Sequence, residues 1–267
     1  LVDAGQAVLD RIFDSDDLLL GGVEFGQRGV ERRRLAAAGR AGDQHHAVGF
    51  GRQAADAVHG VGVEAHHVEA QAIDQIAQDP LLGPVTSTEK VGVYGGSAGG
   101  HTALSLAGGQ WSPARFRDHC EAHIAEDFSS CVGFITRLRG NWLDGLKKQV
   151  ALAVIRYRFD DTTAYSPQDP RIRAIIAAVP FAADFDLSTL ITPAAPLGLI
   201  LARQDINQIP HFHGLAVQRI CKTCTTIADM PYAGHGVMLS PLPPLGANNS
   251  IAFQLLSDPP GFERKQL

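Results

Sequence analysis

Three side chains in this chain are suited to acyl-transfer chemistry: Ser97, Asp205 and His235. Ser97 lies in Gly95-Gly-Ser-Ala-Gly99, and the spacing G-x-S-x-G fits a nucleophile held on a tight turn between a strand and a helix. A residue presented that way takes a strained backbone conformation. Its neighbours two positions away must be tiny, or they collide across the turn. The following helix aims its N-terminus at the serine, and that end favours developing negative charge. An ordinary strand–turn–helix connection is the bland alternative, because Gly and Ser are common in turns. Two other glycine-loop readings fit worse. No G-x-G-x-x-G opens this turn, and no Gly-Lys-Ser/Thr follows it, so neither a dinucleotide fingerprint nor a phosphate loop is present.

A serine hydroxyl is a weak nucleophile at neutral pH and needs an imidazole to take its proton. That imidazole needs a carboxylate to fix its tautomer and stabilise the imidazolium. His235, in Ala233-Gly-His-Gly236, and Asp205, in Arg203-Gln-Asp205, supply these types in the chain order Ser…Asp…His. A loop histidine and a turn aspartate are the bland alternatives. Asp184 and Asp186, in Ala182-Ala-Asp-Phe-Asp186, are the second-choice acids.

The elements that must position these groups are legible as runs. Lys90-Val-Gly-Val-Tyr94 reads as a strand, and a helix begins near His101 and ends at Gly108-Gly109. Arg173–Phe181 and Ala195–Ala202 are continuous apolar runs of the kind found in parallel strands buried on both faces. His213–Ile220 reads as a helix and Thr225–Met230 as a last strand. Alternating strands and helices imply an α/β fold with a mostly parallel sheet, whose ligands bind at the carboxyl ends of the strands. Ser97, Asp205 and His235 each fall just past such an end. Between about 110 and 170 lies an insertion with helices near 115–124 and 142–154, long enough to cap a site. Cys120 and Cys131 lie within it, as a local disulfide or as two free thiols. Cys221 and Cys224 read as packing or a local bridge, not as a redox site.

Composition narrows the function classes. At 267 residues the chain can hold one large α/β domain or two small ones. A net charge of −5 without a basic run argues against a nucleic-acid surface. No apolar stretch is long enough to span a membrane. The start, Leu1-Val-Asp-Ala-Gly5, has no basic n-region and no apolar h-region, so no signal peptide is expected in it. The lack of an initial Met fits a fragment or a processed form.

Residues 1–70 stand apart. Up to Val85 the chain has no Lys, Thr, Asn, Tyr, Trp, Cys or Met, and Ser15 is its sole serine. His45, His46, His66 and His67 match no metal-ligand spacing, so no metal is expected there. Short helices at Val30–Ala38 and Arg52–Val58 are one reading. The favoured reading is a segment not selected for this fold, such as a GC-rich gene read in a wrong frame. It is expected to be weakly packed and to contribute no catalytic group. Amphipathic spacing begins at Gln71–Asp79 and stops at Pro80.

From about Gln71 to about Pro244 the chain resembles the predicted dienelactone-hydrolase-like branch of the α/β-hydrolases. The resemblance rests on Gly95-Gly-Ser-Ala-Gly-Gly100, the pair Cys120/Cys131, Asp169–Pro180, the strand before Asp205, and Gly234-His-Gly236. It implies an α/β-hydrolase-like domain over 71–267 that cleaves carboxylic esters with Ser97, Asp205 and His235 as triad. It also implies the N–H of Ala98 as one oxyanion donor. Dienelactone hydrolases proper carry a cysteine nucleophile; a serine favours esterase or lipase-like chemistry. Members of this branch are often exported, which suits a Cys120–Cys131 bridge. The resemblance implies a small-molecule ester as substrate and no cofactor, and leaves compartment and homo-oligomerisation open. The early strands of the family and its His-Gly loop, source of the second oxyanion N–H, have no counterpart in residues 1–70. The competing expectation is therefore a truncated or chimeric fold, catalytically impaired, with a binding or structural role.

Overall fold

A computed structural model of the chain describes residues 72–133, 136–239 and 251–264. The expectations placed on residues 1–70 lie outside these. The first described element is helix α1 (72–78), which buries Ile73 and stops before Pro80.

Strand β1 (Val91–Gly96) leads through Ser97 into helix α2 (Ala98–Leu106). The sequence places this helix start near His101; it begins three residues earlier. Ala98, Gly99 and Gly100 form its first turn, because Gly100 packs against the chain at Pro180. A Cβ on Gly100 would lie 2.7 Å from the Pro180 Cα. The glycines that read as turn punctuation are thus needed for a close helix–strand approach.

Strands β3 (Ile172–Ala178), β5 (Leu197–Ala202) and β6 (Thr225–Met230) complete a four-stranded parallel sheet in the order β1-β3-β5-β6. The register aligns the carboxyl ends, with Gly96 beside Ala178, Ala178 beside Ile200, and Ala202 beside Met230. Every residue of β5 is buried, as its unbroken apolar run requires. β3 buries Ile172, Ile175, Ala177 and Ala178, while Arg173 and Ala174 are exposed. Among the described residues β1 has one strand partner and lies at a sheet edge.

A second, two-stranded antiparallel sheet joins β2 (Gln110–Trp111) to β4 (Phe185–Asp186). Two-residue strands carry no periodicity, so sequence patterning does not register them. Trp111 also pairs with Tyr165, and their rings stack at 4.9 Å.

The described residues of the insertion form three helices. α3 (Pro113–His123) starts with Pro113 at its first turn and the Ser112 side chain accepting the Arg115 N–H. α4 (Phe128–Val132) and α5 (Leu143–Arg158) follow. Phe116, Cys120, Cys131, Ile155 and Phe159 form their shared apolar cluster. A Cys120–Cys131 disulfide ties α3 to α4, and Cys221 is bonded to Cys224. The other face of α5 leaves Leu146, Val150, Val154 and Tyr157 exposed, with Trp142 just before it. Helix α6 (Gly214–Ile220) connects β5 to β6, and α7 (Ile251–Leu256) packs near the His235 turn. No helix among the described residues is long and apolar enough to cross a membrane.

Candidate active site

The site is built at the carboxyl ends of β1, β5 and β6. Ser97 caps α2 with φ 56° and ψ −115°, a region that costs a residue with a Cβ about 1–3 kcal/mol. The surrounding chain holds it there. The Ser97 N–H donates to the Ala178 carbonyl at 3.0 Å, and its carbonyl accepts from His101 N–H at 3.1 Å and Phe181 N–H at 3.3 Å. A Cβ on Gly95 would sit 1.9 Å from the Gly99 carbonyl oxygen, so that position admits no side chain. Ala98 is the first residue of α2, and the first N–H groups of a helix have no intrahelical acceptor.

Ser97 Oγ lies 2.8 Å from His235 Nε2, and His235 Nδ1 lies 2.6 Å from Asp205 Oδ2. The three residues picked from the sequence thus meet in one chain of hydrogen bonds. Both His235 and Asp205 are buried. The assignment consistent with an ionised carboxylate has Nδ1–H donating to Asp205 and Nε2 accepting the serine proton. The second oxygen of Asp205 accepts the N–H groups of Asn207 at 2.8 Å and Gln208 at 2.9 Å. Both carboxylate oxygens are therefore committed, which fixes the orientation of the carboxylate.

Asp184 and Asp186 are engaged elsewhere. Asp184 pairs with His101 Nε2 at 3.0 Å, and Asp186 pairs with Arg115 at 2.7 Å and caps Ser188. Among the described residues, no cluster of three or more His, Cys, Asp or Glu could hold a metal ion.

Three supports were not legible in the sequence. First, Gln208 turns its side chain back over Ser97, with Nε2 donating to Ser97 Oγ at 3.2 Å. Second, Arg264 donates to the carbonyls of Gly236, Val237, Leu239 and Leu256, and so staples the short turn His235–Met238 to α7. Third, a buried knot around Asp127 holds the loop that carries Asp205. Asp127 Oδ2 accepts from His119 Nε2 and His213 Nε2, each at 2.9 Å. His213 Nδ1 accepts the Ala182 N–H at 3.0 Å, which leaves its proton on Nε2. Ser130 Oγ, 3.0 Å from the same Nε2, donates to the Asn207 carbonyl at 3.0 Å. Because one histidine nitrogen serves both Asp127 and Ser130, this knot is a clamp between α4 and the 205–213 loop and not a second proton relay.

Burial pushes the Asp127 carboxyl up, but the hydrogen bonds from His119 and His213 outweigh it and hold the group well below its ordinary value of 3.8. A carboxylate with a depressed folded-state value stabilises the fold above its unfolded value and loses that contribution as pH falls through the folded one. The urea midpoint of the chain is therefore expected to drop as pH falls from about 4 towards 2. Asp127→Asn, itself less stable by about 1–3 kcal/mol at neutral pH because buried donors lose an ionised acceptor, flattens this drop. Other carboxylates, such as Asp144 and Asp229, also titrate low, so the test is the difference between parent and variant in urea melts across pH. Equal slopes would place the acid sensitivity elsewhere.

Comparison with protein-family models, with curated proteins and with solved structures finds no match for this chain.

Proposed function

We propose that the chain is a serine hydrolase of the α/β-hydrolase type that cleaves carboxylic esters. The observation that carries this reading is the linear array Ser97 Oγ–His235–Asp205, at 2.8 and 2.6 Å, with the serine at φ 56° on a strand-to-helix turn. A structural serine has no need of a strained backbone, a buried imidazole and a buried carboxylate in line.

In this reading, Ser97 Oγ attacks the ester carbonyl while His235 Nε2 takes its proton. Asp205 keeps the ring in the required tautomer and stabilises the imidazolium. The oxyanion forms at the N-terminus of α2, near the Ala98 N–H. His235 then returns the proton to the leaving alkoxide, and an acyl-serine remains. Water, deprotonated by the same nitrogen, releases the carboxylic acid and restores Ser97. The residues involved require neither metal nor cofactor for these steps. The insertion at about 110–170 is proposed as the cap over the acyl or alcohol portion of the substrate.

Labelling with a fluorophosphonate probe tests the reading. Ser97 is expected to become covalently modified, with loss of p-nitrophenyl acetate hydrolysis in step with labelling. A folded chain that neither labels nor hydrolyses the ester would leave this α/β fold with a binding or structural role instead.

A further inference from the structure

We propose that the side-chain amide of Gln208 is a catalytic hydrogen-bond donor to the oxyanion formed at Ser97; this rests on the serine-hydrolase reading. Gln208 Nε2 lies 3.2 Å from Ser97 Oγ, while Oε1 of the same amide is buried with no hydrogen-bond partner among the described residues. An amide placed only for structure would satisfy its oxygen as well as its nitrogen. Here the donor end alone is used, and it is used on the reacting atom.

The chain path explains how the amide gets there. The Gln208 backbone N–H is held by Asp205 Oδ1 at 2.9 Å, three residues past the acid. The Asp127 knot holds the same loop from the other side, through Asn207 and Ile209. The backbone of residue 208 is therefore fixed by the triad acid, and its side chain spans back to the nucleophile. Deleting the side chain leaves those backbone bonds in place.

The chemistry follows from where charge moves. At rest, Ser97 donates its proton to His235 and accepts from the Gln208 amide. As Oγ bonds to the carbonyl carbon, negative charge passes to the carbonyl oxygen, which is attached to that same carbon. A donor already in contact with Oγ reaches this oxygen by rotating its terminal amide. Preorganised donors of this kind stabilise the transition state more than the ground state. The Ala98 N–H, at the start of α2, approaches along the backbone, and Gln208 supplies a side-chain donor alongside it.

The test uses the full chain and the variants Gln208→Met, which keeps length and loses the donor, and Gln208→Glu, which keeps shape and adds charge. Parent activity and fluorophosphonate labelling are measured first. A parent that does not label at Ser97 overturns the hydrolase reading, and this inference with it. With an active parent, Gln208→Met is expected to lower kcat for p-nitrophenyl butyrate by about 10²–10³-fold at little-changed KM. Gln208→Glu falls further. A trifluoromethyl ketone, which forms a tetrahedral adduct on the serine, is expected to lose affinity by the same factor in each variant, because it reports the oxyanion contact. Thermal melting of both variants stays close to that of the parent. A merely structural role would move melting and KM without the parallel between kcat and ketone affinity. If kcat and ketone affinity stay within about threefold of the parent in both variants, or fail to move together, Gln208 is not an oxyanion donor.

Discussion

Ser97→Ala is expected to lower kcat for p-nitrophenyl acetate by about 10⁵–10⁶-fold and to abolish fluorophosphonate labelling, with little change in melting temperature. In the proposed mechanism the loss is large because the serine and histidine act as one unit. Without Oγ, His235 Nε2 has no nucleophile to deprotonate at 2.8 Å, and the Gln208 amide loses its acceptor at 3.2 Å. What remains is substrate binding and the oxyanion donors, the N–H groups at the start of α2 and the Gln208 amide, which leave a small rate above that of water. Stability responds differently. The strain at this position comes from the φ of 56°, and alanine carries the same Cβ as serine. Ser97→Gly removes that Cβ, so it is expected to be as inactive as the alanine variant yet more stable by about 1 kcal/mol. Initial rates and thermal melts of the three chains check both halves. An alanine variant within tenfold of the parent in kcat would remove Ser97 from the nucleophile role.

The parts of this site that sequence reveals are those where chemistry restricts residue type. Glycine is compulsory at position 95, since any Cβ would strike the Gly99 carbonyl, and that compulsion writes the motif. Asp205 follows the apolar run of β5, and His235 follows the strand-like run Thr225–Met230 of β6. The parallel sheet is legible for the same reason, as β5 is buried along its whole length. Gln208 and Arg264 leave no such trace. Each works through its side-chain reach across space, and many residues share their local pattern. Asp127, His119 and His213 are spread over the insertion and the 205–213 loop, and only the fold brings them to one buried carboxylate. Gly99 and Gly100 signal a turn locally, whereas packing of Gly100 against Pro180 recruits them into α2, so the helix starts earlier than its sequence suggests. Both cysteine pairs are bonded, a state that spacing alone left open.

Asp205→Asn is expected to lower kcat by about 10⁴-fold while leaving KM and melting temperature near those of the parent. The argument is one of proton placement. Asp205 Oδ1 accepts two backbone N–H groups, at 2.8 and 2.9 Å, and Oδ2 accepts from His235 Nδ1 at 2.6 Å. An asparagine has one accepting oxygen and one donating nitrogen. If its NH₂ faced the two backbone donors, three donor nitrogens would meet with no acceptor among them. The oxygen therefore takes that side, and the NH₂ faces His235. Nδ1 must then accept, the ring proton moves to Nε2, and Nε2 can no longer accept from Ser97. The geometry survives and the base is lost, because the wrong tautomer is held in the right place. Asp186→Asn is the control, since Asp186 serves Arg115 and Ser188 and does not touch His235. Its kcat is expected to stay within threefold of the parent. Steady-state kinetics of both variants decide the matter. A near-normal Asp205→Asn beside a crippled Asp186→Asn would reassign the acid, and near-normal rates in both would mean that His235 works without a carboxylate partner.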